Sequence, residues 1–241
     1  MDHTAHRADL GSRLENRAPE MVESSMPHIF EEENRVAEKD HDPDYAVRLE
    51  LGTHFVRQDM LDGILTVQGV LGEGYSVALS RELREIIRMR GKAPLKVLLF
   101  SGGGGVYPAF YIYDTLRNYS QNFGPVTVVT SGIAASAAAA IVLQAGDDRQ
   151  ITPRGRLMLH EVGQWFMHDT AIAASAAEDS NREMRTLQTS VCEVLGERTH
   201  HTASFWQDVI ARKEMWYSAE QALELGLVDK ITTTETATLG A

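Results

Sequence analysis

Ser136 sits in a run of small residues, Gly132-Ile133-Ala134-Ala135-Ser136-Ala137-Ala138-Ala139, where a strand-like segment gives way to an alanine-rich helical one. Small neighbours leave room for a carbonyl carbon to approach the hydroxyl. The start of a helix beside it supplies N–H groups without intrahelical partners and the positive end of the helix dipole. His160 lies 24 residues further on and closes Arg156-Leu157-Met158-Leu159-His160, so its imidazole emerges at a strand end. A neutral imidazole there can take the proton of a serine hydroxyl and return it to a leaving amine, which is acyl transfer through a covalent intermediate. The chain has nine histidines, and none of the other eight follows a strand in this way. Ser136 also has a plainer reading, as a residue that caps or packs within a small-residue helix.

A second feature is Ser101-Gly102-Gly103-Gly104-Gly105, between an apolar strand and a helix. It lacks the Gly-Lys-Ser/Thr ending of a P-loop and the spacing of a dinucleotide fingerprint. Glycines at such a turn let backbone N–H groups face an anion without side-chain obstruction. An oxyanion hole relies on the same physics as a phosphate site. The run is equally readable as a tight turn and nothing more.

These residues need elements to hold them. Short apolar runs predict strands at 63–67, 95–100, 126–130, 150–152 and 156–159, with a last one at Leu227-Val228. Helical spacing of apolar residues predicts helices at 76–89, 107–119, 135–145, 171–195 and 218–225. Leu95-Lys96-Val97-Leu98-Leu99-Phe100 is nearly continuous in apolar character, which predicts a strand covered on both faces. Strands alternating with helices imply an α/β protein with a mainly parallel sheet.

The net charge of −11 argues against a general nucleic-acid binder. It is uneven: residues 1–50 carry −7 and the other 191 carry −4. Residues 1–45 are acidic and weakly apolar, with no sustained period, and are read as a flexible N-terminal arm; Pro27-His28-Ile29-Phe30 is either a docking patch or part of that tail. Residues 46–241 are read as the catalytic domain. No apolar run approaches the roughly 20 residues of a membrane helix. The polar N-terminus does not read as a secretory signal. The single cysteine, Cys192, excludes an internal disulfide. A cytoplasmic protein that does not touch membranes is the expectation.

Taken in order along the chain, six segments resemble the proteolytic subunit of the Clp protease, of Clp/crotonase-type fold. Ser101-Gly102-Gly103-Gly104 resembles that family's Ser-Pro-Gly-Gly turn, and Ile112-Tyr113-Asp114-Thr115-Leu116 its Ile-Tyr-Asp-Thr helix. Gly132-Ile133-Ala134-Ala135-Ser136 resembles its Gly-x-Ala-Ala-Ser motif, and Arg156-Leu157-Met158-Leu159-His160 its Arg-x-Met-x-His segment. The closing Ser-Ala-x-Glu-Ala…Gly-Leu-Val-Asp is similar to Ser218-Ala219-Glu220-Gln221-Ala222 and Gly226-Leu227-Val228-Asp229.

The resemblance implies a fold of repeated β-β-α units with a protruding handle helix, on which Met184 and Leu187 lie. It implies Ser136 as nucleophile, His160 as general base, and the N–H groups of Gly104 and Ala137 as oxyanion donors. The family's third residue, an aspartate four positions before the Ser of Ser-Ala, falls on Glu214, with Asp208 as the rival acid. Gly102 replaces the family's proline, and Glu161-Val162 its Gln-Pro after the histidine. Trp206 and Trp216 read as packing residues.

The implied activity is that of a serine endopeptidase cutting unfolded proteins or peptides inside a chamber of heptameric rings stacked in pairs. An AAA+ unfoldase is the implied partner and the only user of ATP, and no cofactor or metal is expected. A non-catalytic ring subunit is the alternative, and an acyl-CoA enzyme of crotonase type a third reading. The acidic arm would lie near the axial entrance as a gate or adaptor contact.

Overall fold

The computed structural model describes residues 56–163, 174–211 and 213–232; the N-terminal arm, with Pro27-His28-Ile29-Phe30, lies outside them. A helical segment at 56–62 leads into β1 (Ile64–Leu71), α1 (Glu73–Arg90), β2 (Leu95–Gly104), α2 (Val106–Asn122) and β3 (Val126–Ala135). A π-helical turn, Ala138–Val142, and a 3₁₀ turn, Leu143–Ala145, precede β4 (Asp148–Ile151) and β5 (Arg156–His160). Then come α3 (Ala174–Arg198), α4 (Ala203–Ile210), β6 (Glu214–Tyr217), α5 (Ala219–Glu224) and β7 (Lys230–Ile231).

The sheet runs β1-β2-β3-β4-β7 with parallel pairing throughout, and β5 branches from β3 to pair with β6. Its hydrophobic heart is Val97, Leu99, Val128, Ile141 and Trp206, each at most 1% exposed, so this α/β chain buries a full core. The expectation that β2 is covered on both faces fails. Leu95, Val97 and Leu99 are buried, but Phe100 is 55% exposed, so within this chain only one face is fully covered.

The glycine run is strand rather than turn as far as Gly104. Close approach demands it: a Cβ on Gly103 would lie 2.7 Å from Ala135 O and from Ser136 Cβ, and one on Gly104 2.4 Å from Leu71 O. Both also have positive φ, 97° and 150°, a region costly for residues with a Cβ. Likewise β3 runs past Thr130 as far as Ala135, and helix starts only at Ala137. The Ser136 carbonyl accepts from Ala139 N–H (3.1 Å) and Ala140 N–H (2.9 Å), a 3₁₀-type and an α-type bond, and the α-helix predicted at 135–145 is replaced by the π-helical turn and 3₁₀ turn that follow.

At the C-terminus, Ser218 caps α5 in a capping box with Gln221. The strand expected at Leu227-Val228 is displaced to Lys230–Ile231, because the N–H groups of Leu227 and Val228 are spent on Ala222 O, at 2.9 and 3.4 Å. Trp206 is fully buried, as expected of packing, and donates its indole N–H to Thr199 Oγ1 at 2.7 Å. Trp216 is instead 50% exposed, on the outward side of β6.

One buried cation ties three elements together. Arg149 of β4 donates to Asp229 Oδ2 and Oδ1 at 3.0 and 2.6 Å, to Gln144 Oε1 at 2.6 Å, and to the Arg198 carbonyl at the end of α3 at 2.6 Å. Burial pushes the Asp229 carboxyl up, but the Arg149 side chain, its backbone N–H and its charge outweigh that, holding Asp229 below the usual carboxylate range. A carboxyl depressed in the folded state stabilises above its unfolded pKa and loses that contribution as pH falls through the folded value. Asp229→Asn is therefore expected to cost about 2 kcal/mol at neutral pH, a figure that allows for partial exposure of the pair. In urea unfolding the gap from wild type should close as pH drops below about 4. A gap that persists unchanged at pH 3 would show that the ion pair is not its cause.

Candidate active site

Sheet pairing brings the two reactive side chains together. Ala135 pairs with Met158 across β3 and β5, and the Ser136 N–H donates to Met158 O at 2.8 Å. His160 follows Met158 by two residues and so shares its side of the strand. Its Nε2 lies 2.8 Å from Ser136 Oγ. Ser136 itself has φ 55°, the only positive φ at a non-glycine among the described residues. Such a conformation is costly for serine and turns its hydroxyl out of the strand; it persists because neighbouring bonds fix the backbone on both sides.

The acid arrives from the other direction. β5 and β6 pair antiparallel with His160 directly opposite Glu214, so the two side chains project from one face of the sheet. No hydrogen bond joins the Glu214 carboxylate to the imidazole among the described residues. Asp208 is exposed on α4, away from the cavity, and the exposed Glu161 falls one residue beyond the histidine.

Ser136, His160 and Glu214 all line one cavity of about 980 Å³, together with Gly102 to Gly105 and Ala137. The Gly103 N–H is taken by Ser101 Oγ at 3.1 Å, and Ser101 in turn donates to Gly69 O at 2.6 Å. This clamp stiffens the loop that Gly102, in place of proline, would otherwise loosen. Ala137 heads the helix that follows Ser136, where N–H groups have no intrahelical acceptor. Met184 and Leu187 line this same cavity. Residues 178–186 of α3 are otherwise largely exposed, while Val191, Cys192 and Leu195 anchor its C-terminal half in the core.

Sequence reasoning missed Gln188. Its Oε1 accepts the Val162 N–H at 2.7 Å and its Nε2 donates to Cys192 Sγ at 3.3 Å, so α3 grips the chain two residues past His160. The signal was present but unread: a proline at 162 would carry no N–H to offer. Among the described residues no group of three His, Cys, Asp or Glu could hold a metal ion, and no helix is long and apolar enough to cross a membrane.

The fold is that of an α/β protein of Clp/crotonase type, with its candidate site at the end of the third parallel strand. A family profile described as Clp protease matches residues 63–235. The chain belongs to the Clp protease family. Among curated relatives, the ATP-dependent Clp protease proteolytic subunit of Bacteroides thetaiotaomicron is 25% identical over 174 residues, covering 71% of this chain and 75% of the relative. The ATP-dependent Clp protease proteolytic subunit 1 of Chlamydia muridarum is 31% identical over 140 residues, covering 57% and 69%.

Proposed function

We propose that this chain is a serine endopeptidase, with Ser136 as nucleophile, His160 as general base and Glu214 as the orienting acid. The observation that carries this reading is the 2.8 Å approach of His160 Nε2 to Ser136 Oγ inside a cavity large enough for a peptide segment. In the first half-reaction Oγ attacks the scissile carbonyl carbon while Nε2 takes the hydroxyl proton. The carbonyl oxygen becomes an oxyanion facing the N–H groups of Gly104 and Ala137, each donor worth about 3 kcal/mol of barrier. The C–N bond then breaks, the imidazolium gives its proton to the departing amine, and an acyl-serine remains. Water, deprotonated by His160, attacks that ester; the C–Oγ bond breaks and Ser136 recovers its proton.

Glu214 in this scheme accepts from Nδ1–H and fixes the tautomer that leaves Nε2 free as the base. A fluorophosphonate tests the assignment. It should add to wild type in equal moles and leave Ser136→Ala unmodified by intact mass, whereas labelling that survives the substitution would remove Ser136 from the role.

The membership in the Clp family and the names of its relatives support self-association into rings, with an unfoldase delivering unfolded chains. We place the protein as a heptameric ring, stacked in pairs, in the cytoplasm. Light scattering should then give a mass several-fold above the 26.7 kDa of one chain. A single-chain mass at working concentration would count against the ring.

A further inference from the structure

The cavity around Ser136 has a charged end that the reaction does not use. One face of α3 forms a wall, with Ser180, Glu183, Met184, Leu187 and Val191 recurring at helical spacing. Exposure falls along that face, from exposed Glu183 through half-buried Met184 and Leu187 to buried Val191. Across from it lie Met158, half-buried, and Ile141, fully buried. The wall therefore passes from an apolar interior to a carboxylate at the mouth.

That carboxylate is held in place. Tyr107, in the first turn of α2, donates its hydroxyl proton to Glu183 Oε1. The bond to Glu183 pushes the Tyr107 phenol above its usual range, so it stays a donor. Among the described lining residues the charged side chains are Glu183 and Glu214 beside His160; there is no lysine or arginine. If Glu214 is engaged with the imidazole, Glu183 is the charge left for substrate.

We propose that Glu183 sets substrate preference, and that the cavity takes a lysine or arginine side chain from the residue that supplies the scissile carbonyl. This inference rests on the serine-peptidase reading and names the substrate class for that site. Lysine and arginine suit it because their methylene stems cover apolar surface while the cationic head stays at the water boundary. Here the stem lies along Met184 and Leu187 and the head meets Glu183, which Tyr107 keeps oriented. An arginine fork can engage both carboxylate oxygens. A leucine uses the apolar bed and gains nothing from Glu183, and a glutamate brings like charge to it.

The experiment compares inactivation of the full-length protein by peptidyl diphenyl phosphonates that carry Lys, Leu or Glu next to the phosphorus. Wild type should react with the Lys probe about fivefold faster than with the Leu probe, a step the size of an exposed ion pair, and slowest with the Glu probe. Glu183→Gln should remove the Lys advantage and leave the Leu rate within about twofold, and Glu183→Lys should make the Glu probe faster than the Lys probe. The Lys advantage should also shrink between 50 mM and 500 mM salt, because the rim is exposed. The Leu rate serves as the folding control for both variants. Equal Lys and Glu rates on a protein whose Ser136 does react would overturn this inference alone. Absence of any Ser136 modification would instead overturn the peptidase reading, and this inference with it.

Discussion

Replacing Ser136 by alanine is expected to lower kcat for peptide hydrolysis by about 10⁴- to 10⁶-fold, the scale on which other serine peptidases lose activity without their nucleophile. The attacking Oγ is deleted, and no described side chain near His160 Nε2 replaces it. KM should stay within a few-fold, because on the proposed reading the substitution leaves Gly104, Ala137 and the apolar wall of α3, which line the cavity, in place to hold a peptide. His160→Ala should cost nearly as much, and the double variant hardly more than either single one. Residues that act on one proton transfer are strongly non-additive. Additive losses from Ser136→Ala and His160→Ala would mean that the 2.8 Å contact is structural and that turnover arises elsewhere. Folding provides the control: Ser136 is half-buried and among the described residues its side chain bonds only the imidazole, so the melting temperature of Ser136→Ala should stay within a few degrees of wild type.

Glu214→Gln is expected to lower kcat by about 10²- to 10⁴-fold, and Asp208→Asn by less than twofold. The amide keeps the shape of the acid but offers a donor where an acceptor is needed, which favours the wrong imidazole tautomer and leaves the imidazolium without its counter-charge. Geometry ranks the two acids: Glu214 faces His160 across β5 and β6 and lines the cavity, and Asp208 does neither. Strand pairing sets the Glu214 side chain on the same face as the imidazole, and catalytic hydrogen bonds often tighten only when substrate is bound. Glu214→Asp gives a sharper reading. Shortening the side chain by one methylene from a fixed strand position should cost about tenfold or more, since the strand pairing leaves the backbone no freedom to follow. A large loss in Asp208→Asn with Glu214→Gln near wild type would transfer the role to Asp208. No loss in either variant would leave a Ser136–His160 dyad working alone.

Much of this was legible in the sequence. The order of small-residue and glycine motifs fixed which serine and which histidine to examine, because few residue types tolerate a strand-to-helix corner or a close backbone crossing. Apolar runs at 95–100 and 126–130 located the central strands, since burial of alternate side chains leaves a mark on composition. The helix read at 218–225 is found as α5, with Ser218 as its cap. One short element was not legible: β6 is four residues long, with a lysine before it and an exposed tryptophan within it, and its strand character comes wholly from pairing with β5.

What the sequence alone determined, then, is a set of local chemistries: a serine with free N–H groups beside it, a histidine at a strand end, glycines where no Cβ fits, and an acidic first fifth. Their meeting was decided only by tertiary structure. Ser136 and His160 are brought to 2.8 Å by β3–β5 pairing, and His160 and Glu214 are set opposite each other by β5–β6 pairing. The choice between Glu214 and Asp208, the grip of Gln188 on Val162 and the turn of Glu183 toward Tyr107 depend on register and helix rotation. These are relations between residues far apart in the chain. A one-residue slip would send each side chain to the opposite face, and local composition carries no record of register.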